Sequence, residues 1–202
     1  MRALALREIR AQYVGSALGV VWQFITPMVL IGVFWVVFSV GFRVQPDSGV
    51  PFVVWLTAGM AAWFAFSEIV SGSVHCITGN PHLVKKVVFP VQALPLVKVL
   101  VAASNHVLFL LILFVLMLFH SLPVHGFFFQ TLYYFFCLIA LGVGIGWIVA
   151  ALNVFSRDTA RLVGVALQVG MWATPILWDI KMLPEAYGRW FALNPMHYKK
   201  ES

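Results

Sequence analysis

Long apolar segments alternate along the chain with short polar ones, and this pattern predicts the secondary structure. Each apolar segment approaches the ~20 residues that a helix needs to cross a bilayer. Hydrophobic and polar residues do not alternate at a period of two within them, so they are not strands of a transmembrane β-barrel. We therefore predict five transmembrane helices, at residues 24–42, 52–73, 94–119, 127–152 and 162–178.

The amino-terminal segment differs from these spans because it mixes apolar and basic side chains. Apolar residues recur there at helical spacing and oppose Arg7 and Arg10. This pattern predicts an amphipathic helix at residues 1–23 that lies on the membrane surface. The other segments outside the spans are short, so we predict that residues 1–202 form a single transmembrane domain.

Composition supports a membrane protein built of helices. The chain is 62% hydrophobic and 10% charged, whereas soluble domains contain about 25% charged residues. Its net charge of +6 fits cytoplasmic loops and lipid headgroups better than nucleic acid. Cys76 and Cys137 fall in or beside apolar segments, which argues against disulfides and offers no metal-ligand spacing. We predict an all-α polytopic membrane protein without a metal site or a nucleic-acid partner.

Lysines and arginines are distributed unevenly between the two sides of the predicted bundle. Short cytoplasmic loops of membrane proteins are enriched in these residues. One side holds seven and the other holds three, namely Arg2, Arg7, Arg10, Lys85, Lys86, Arg157 and Arg161 against Arg43, Lys181 and Arg189. This asymmetry predicts that the amino terminus and the loop after the second span are cytoplasmic.

The segment "NPHLVKKVVFP", from Asn80 to Pro90, is too basic for a span and too apolar for an ordinary loop. Asn80 and Pro81 can start a turn or a helix, and Pro90 can end one. Its leucine and valines offer an apolar patch of the kind that anchors an interface. Taken alone, its two lysines are better explained by membrane topology or by contact with anionic lipid.

Three polar residues inside the predicted spans are candidates for a functional role. Glu68 lies toward the cytoplasmic end of the second span, and an intramembrane acid is a candidate functional residue by default. Hydration at the interface, or pairing with Lys98 or an amino-terminal arginine, explains it equally, and we favour this structural interpretation. Asn105 and His106 lie near the middle of the third span, where they either line a polar path or form interhelical hydrogen bonds.

Two further patterns concern helix faces. Gly142, Gly146 and Ala150 are spaced four apart, which predicts a face that another helix can approach closely. Large apolar side chains line one face of the first span, at Phe24, Met28, Ile31, Trp35, Phe38 and Phe42. Helix packing and an interfacial aromatic belt explain that face, and stacking on sugar rings is the alternative.

Catalytic motifs do not occur in the sequence. It contains no G-x-x-x-x-G-K-[ST] phosphate-binding loop, no H-E-x-x-H zinc motif and no G-x-S-x-G nucleophile motif. We therefore predict that the chain has no catalytic residues and is not an enzyme.

Five stretches resemble, in order, the permease subunits of ABC-2-type exporters. They are "LREIRAQYVGSALGVVWQFITPM", "FVVWLTAGMAAWFAFSEIVSGSV", "GNPHLVKKVVFP", "ALNVFSRDTARL" and "PEAYGRWFALNPMHY". The resemblance covers nearly the whole chain and is closest to the branch that exports O-antigen, capsular polysaccharide and teichoic acid. Its most specific pieces are "LVKKVVFP" and "ALNVFSRD".

The resemblance implies a homodimer of six-helix subunits in the bacterial inner membrane, with an amino terminus in the cytoplasm. It also implies a separate ATPase subunit that uses ATP and magnesium, while the permease itself binds no cofactor. The implied substrate is a lipid-linked polysaccharide. Residues 179–195 match a re-entrant segment at the outer face of such permeases.

The resemblance also assigns roles to individual residues. The loop after the second span matches the element that couples such permeases to their ATPase, and its members are Asn80, Pro81, Leu83, Val84, Lys85, Lys86, Val87, Val88, Phe89 and Pro90. We expect the substrate channel to include Trp35, Phe38, Phe42 and Asn105.

The sequence departs from the family pattern after Met196. Family members continue there with an apolar sixth helix, whereas this sequence continues with "HYKKES". We therefore expect five spans, with the sixth missing. The alternatives to a polysaccharide exporter are an ABC-2 exporter of a small molecule and a non-transporting membrane assembly partner.

Overall fold

A computed structural model describes residues 8, 18–44, 49–85, 90–123, 130–174 and 176–177, except the side chains of Val20 and Leu83. The elements in these ranges are helical, and no strand occurs among them. They are α1 (Trp22–Trp35), α2 (Phe52–Val74), α3 (Pro81–Val84), α4 (Ala93–Phe119), α5 (Gln130–Phe155) and α6 (Asp158–Ala173). A 3₁₀ turn at Gly19–Val21 precedes α1, and a π-helical turn at Val36–Gly41 extends it. The prediction of an all-helical fold is confirmed.

Four helical elements in the described ranges are long and apolar enough to cross a membrane. They are α1 with its π-helical extension, α2, α4 and α5. Each overlaps a predicted span, and no end differs from the prediction by more than three residues. The largest difference is at α5, which ends at Phe155 and not at residue 152. Its last helical hydrogen bond is donated by Ser156 N to Leu152 O, at 2.9 Å.

The fifth predicted span, residues 162–178, requires correction. Helix α6 begins at Asp158 and ends at Ala173, and Thr174 is extended with a ψ of 134°. The sequence explains this end, since Pro175 disfavours helical backbone in the residue before it. With 16 residues, α6 is about 24 Å long, which is less than the ~30 Å of a bilayer's hydrocarbon core.

Helix α2 is the centre of the described bundle. It contacts α1, α4, α5 and α6, and its contacts with α4 and α5 are the most extensive in the bundle. Leu56, Met60 and Ile69 of α2 are among the largest fully buried side chains. The first span is peripheral by comparison, since only 11% of its most apolar stretch is buried, whereas 50% of the corresponding stretch of α2 is buried. The helices are therefore organised around α2, with α1 on the outside.

Two predicted segments fall largely outside the described residues. In the amino-terminal segment predicted as an interfacial helix, residues 8 and 18–23 are described, and Glu8 is helical. The re-entrant segment predicted at residues 179–195 lies entirely outside them.

Candidate functional site

Three polar side chains from three helices meet between α1, α2 and α4. The side-chain nitrogen of Gln23 donates to Asn105 Oδ1, and Asn105 Nδ2 donates to Glu68 Oε1 at 2.6 Å. Each of the three side chains is partly buried. This hydrogen-bonded chain links the first turn of α1, the last third of α2 and the middle of α4. We call it the polar triad.

The polar triad opens onto a cleft of about 440 Å³. Its walls include the aromatic rings of Trp22, Phe64 and Phe109 and the hydroxyl groups of Ser67 and Ser71. The rings of Phe64 and Phe109 are stacked, with centroids 5.5 Å apart. Mostly apolar walls with a few convergent polar groups are typical of sites for small ligands.

Glu68 does not form an ion pair with Lys98, which corrects one of the sequence-based interpretations. Lys98 Nζ instead pairs with the carboxylate of Glu8 in the amino-terminal segment. The hydrogen-bond partner of Glu68 is Asn105. Glu68 is therefore part of an interhelical network beside a cleft, and the sequence-based interpretation of Glu68 did not include this network.

His106 lies one residue from the polar triad but belongs to a different environment. Its Nδ1 is 3.2 Å from the carbonyl oxygen of Ala61, and its ring stacks on Phe135 with centroids 4.3 Å apart. It lines a smaller cavity of about 200 Å³ between α2, α4 and α5. These contacts give His106 a role in packing three helices together.

The four residues predicted to form the substrate channel are not brought together. Asn105 meets α1 at Gln23, whereas Trp35 lies twelve residues further along α1, about 18 Å away along the helix axis. Phe38 packs on Phe42 and on Phe52 of α2, with centroids 5.5 and 6.5 Å apart. Trp35, Phe38 and Phe42 thus lie at the end of the first span opposite to Gln23. The sequence does not show this separation, because a helical pattern shows which face a residue lies on and not the depth of its partners.

The aromatic face of the first span is itself divided. Ile31 is buried and Phe38 is half-buried, whereas Trp35 and Phe42 are exposed. The exposed side chains are free to meet lipid or another surface within the membrane. The buried ones serve helix packing.

The predicted coupling segment contains a single helical turn, α3. Val84 N donates to Asn80 O at 3.2 Å, and Lys85 N donates to Pro81 O at 3.1 Å. Pro81, Val84 and Lys85 are exposed, as is Pro90 at the far end of the segment. The side chain of Leu83 and residues 86–89 lie outside the described part of the chain. The described residues of this segment therefore project away from the bundle.

The residues that lead into α3 are fixed to the bundle by Asn153 of α5. Asn153 Nδ2 donates to the carbonyl oxygen of Val74 at 2.9 Å and to Thr78 Oγ1 at 3.3 Å. Between these contacts, Cys76 is buried and packs in a cluster with Ala150 of α5. Burial raises the pKa of the Cys76 thiol to about 11. Asn153 does not stand out as functional in the sequence, although a polar residue in the last turn of an apolar span is a signal for such a tether.

The small residues of α5 pack against α2. A Cβ added at Gly146 would lie 2.7 Å from Ser73 Oγ, and one added at Gly142 would lie 3.0 Å from Ile69 Cγ2. Ala150 is fully buried. The structure thus places the predicted packing face at the closest approach between these two helices. No group of three or more metal-ligating side chains occurs among the residues that are described.

The sequence matches a known family over almost its entire length. The family model described as ABC-2 type transporter matches residues 1–201. The chain is 33% identical over 199 residues to the O-antigen export system permease protein RfbA of Myxococcus xanthus, covering 96% of this chain and 74% of that protein.

More distant relatives have similar coverage. A second O-antigen export system permease protein RfbA, from Klebsiella pneumoniae, is 28% identical over 94% of this chain and 73% of its own length. The polysialic acid transport protein KpsM of Escherichia coli is 26% identical over 97% of this chain and 76% of its own length. The names of these relatives all refer to export or transport of a polysaccharide.

Proposed function

This chain belongs to the ABC-2 type transporter family, and we propose that it is the membrane-spanning permease subunit of an ATP-driven polysaccharide exporter. The observation that carries this proposal is the 33% identity to an O-antigen export permease over almost the whole chain. The helical bundle, with four elements able to cross a membrane in its described ranges, supplies the required architecture.

ATP hydrolysis belongs to a separate ATPase subunit in this proposal. The sequence has no phosphate-binding loop of the G-x-x-x-x-G-K-[ST] type. ATP and magnesium are therefore bound by the partner, and this chain contributes the path through the membrane. A second copy of the permease completes that path, and the broad exposed apolar surface of α5 offers room for it within the membrane.

The proposed orientation places the amino terminus and α3 in the cytoplasm of a bacterial cell, with the bundle in the inner membrane. The Lys and Arg asymmetry supports this orientation. The substrate is then a lipid-linked polysaccharide that is loaded from the cytoplasmic side. The exposed turn α3 lies on that same side, where it can dock on the ATPase.

Deletion of the gene in its native host tests the function directly. We expect the polysaccharide to accumulate inside the cell and to disappear from the surface, and a plasmid copy should restore it. Surface and intracellular polysaccharide are measured by lectin or antibody labelling of intact and of opened cells. Normal surface polysaccharide in the deletion strain, together with retention of a small molecule, would favour the small-molecule alternative.

A charge placed in the coupling segment tests the docking role. We expect Val84→Asp, Leu83→Asp or Val87→Asp to uncouple ATP hydrolysis from export, because each puts a carboxylate into an apolar contact. The double variant Lys85→Ala with Lys86→Ala should have a smaller effect, since charges at the rim of an interface mostly change the association rate.

The measurements are co-purification of the ATPase and export rate in membrane vesicles. Ser121→Asp is a matched control, because Ser121 is also exposed in a short connection but lies on the opposite side in the proposed orientation. If the aspartate variants in the coupling segment bind the ATPase and export normally, this segment is not the coupling element.

A further inference from the structure

We propose that the cleft beside the polar triad binds an uncharged sugar unit of the transported glycan, and that Glu68 makes this cleft reject acidic sugars. The inference rests on the proposed function and adds a location and a selectivity to it. Its basis is the combination of a carboxylate, two amides, three hydroxyls and three aromatic rings around one cleft.

The polar side chains of the cleft match the hydroxyl groups of a sugar. Glu68 is an acceptor for hydroxyl protons, whereas the amides of Gln23 and Asn105 can donate as well as accept. Within the described part of the chain, the Glu68 carboxylate receives one hydrogen bond, from Asn105 to Oε1. The second oxygen of Glu68 has no hydrogen-bond partner among those residues, and we assign it to a ligand hydroxyl.

The aromatic walls suit the remaining surface of a sugar ring. The C–H faces of a pyranose are apolar, while its hydroxyls point outward around the rim. Trp22 lines the cleft on α1, and the stacked rings of Phe64 and Phe109 line it on α2 and α4. A volume of about 440 Å³ is within the range of about 300–1,000 Å³ that small-ligand sites occupy.

The charges around the cleft explain the selectivity. Glu68 is the charged residue among those that line it. Lys98 acts electrostatically on Glu68, but its own charge is paired with Glu8. With Glu68 ionised, these three groups together carry one net negative charge. An acidic sugar would bring a second negative charge into a region of low dielectric, where like charges repel strongly.

The partial exposure of the triad distinguishes a binding site from a simple helix tether. Ser73 and Asn153 are polar residues between α2 and α5. They are 0% and 4% exposed, so they do not border an open cavity. Gln23, Glu68 and Asn105 are each only partly buried beside an open cleft. Polar groups that only joined helices could be as fully enclosed as Ser73.

The position of the cleft fits an early step of transport. Gln23 is in the first turn of α1, and Glu68 is about 9 Å along the axis from the last residue of α2. Both positions are in the cytoplasmic half of the membrane in the proposed orientation. The cleft thus contacts the glycan where it enters, before it crosses the membrane.

Protection of a cysteine in the cleft from labelling tests this proposal. Ser71 is exposed and lines the cleft, so Ser71→Cys is the reporter, in a background in which Cys76 and Cys137 are serine. The permease–ATPase complex is placed in phospholipid nanodiscs and treated with a soluble maleimide. The probes are a neutral hexose hexasaccharide and a sialic acid hexasaccharide.

We expect the neutral probe to slow labelling at a concentration about tenfold below that needed for the acidic probe, which corresponds to about 1.4 kcal/mol. Glu68→Gln should remove this difference, whereas Glu68→Asp should keep it. Asp158→Asn is the matched control, because it removes an exposed carboxylate far along the chain and should leave both protection curves unchanged.

Three results would overturn the proposal. They are no protection by either probe, equal protection by both in the Ser71→Cys reporter with Glu68 intact, and discrimination that survives in folded Glu68→Gln protein. The comparison of the two probes on the reporter with Glu68 intact needs no folded variant of Glu68. Export of polysaccharide by cells in which the cleft shows no protection would leave the proposed function intact and refute only the cleft.

Discussion

The two faces of α2 are built on different principles. The face toward α5 is closed, since Gly142 and Gly146 allow direct contact with Ile69 and Ser73. The face toward α1 is open, and its half-exposed Glu68 borders a cleft. Dense packing holds the first face together, whereas the second combines an apolar cluster around Ile31 with a hydrogen-bonded chain that runs through Asn105 of α4.

The two faces of α2 therefore have different roles. One holds the bundle together, and the other borders the proposed binding cleft. A closely packed interface does not deform gradually. A displacement of one helix is therefore passed on to the helix that packs against it. The hydrogen-bonded end of the second face can open to admit a ligand at a small energetic cost, because each intramembrane bond contributes only about 0.6 kcal/mol. The contact of α2 with α5 is thus suited to carry force, and the contact of α2 with α1 is suited to bind.

Adding one methyl group should break the closed face. A Cβ at Gly146 would lie 2.7 Å from Ser73 Oγ and 3.1 Å from Ser73 Cβ, whereas one at Gly144 would meet nothing within 4 Å. We expect Gly146→Ala to lower the free energy of unfolding by about 2–3 kcal/mol relative to Gly144→Ala, because overpacking forces a shift of the backbone.

Thermal unfolding in detergent, followed by size-exclusion chromatography, measures this difference. Both substitutions change helix propensity by the same amount, so their comparison isolates the contact. Equal midpoints for the two variants would show that α5 is not held closely against α2.

The sequence predicts the closed face and does not predict the open one. Residues spaced four apart lie on the same face of any α-helix, so Gly142 and Gly146 identify a packing face before its partner is known. The residues of the polar triad are 82 and 37 positions apart along the chain. No local rule brings such residues together, since their meeting depends on the order in which whole helices pack.

The differences at α6 and at the predicted channel have different origins. The early end of α6 follows from Pro175, so the predicted span to residue 178 gave too much weight to hydrophobicity and too little to a helix-ending signal. Asn105 and Trp35 lie at different depths, and their assignment to one substrate channel stays a prediction. The depth of each residue follows only from the way the helices pack.

Removing the Asn153 side chain should loosen the cytoplasmic end of the closed face. Asn153→Ala leaves the carbonyl oxygen of Val74 and the hydroxyl of Thr78 without their partner, so we expect a loss of about 1–1.5 kcal/mol. Cys76 reports this loosening, because it is 1% exposed and lies between the two contacts.

The rate of maleimide labelling at Cys76 is the measurement. The raised pKa of about 11 keeps the thiol protonated and unreactive at pH 7.5, and the thiolate fraction should rise about tenfold per pH unit until pH 10. Asn153→Ala should speed labelling at every pH by exposing the thiol. The control is Asn80→Ala, which removes one hydrogen bond to Cys76 O and should have the smaller effect. Identical rates in wild type and Asn153→Ala would show that Asn153 does not hold this segment.

The smallest effect concerns the ion pair of Lys98 and Glu8 on the open face. Both side chains are partly exposed, at 22% and 30%, so water and salt reach the pair. Exposed pairs contribute about 0.2–1 kcal/mol, and we expect about 0.5 kcal/mol or less. Lys98 also packs its stem against Gly72 of α2, since a Cβ there would lie 3.3 Å from Lys98 Cδ.

A double-mutant cycle with Lys98→Met and Glu8→Gln separates charge from packing, because methionine keeps most of the apolar stem. We expect the coupling energy to fall when salt rises from about 0.05 to about 0.5 M, where screening shortens the reach of exposed charges. The Gly146→Ala difference should not change over the same range, because steric contact does not depend on ionic strength. A coupling energy at Lys98 that is insensitive to salt would mean that the open face is shielded from water, and the contrast between the two faces of α2 would then be lost.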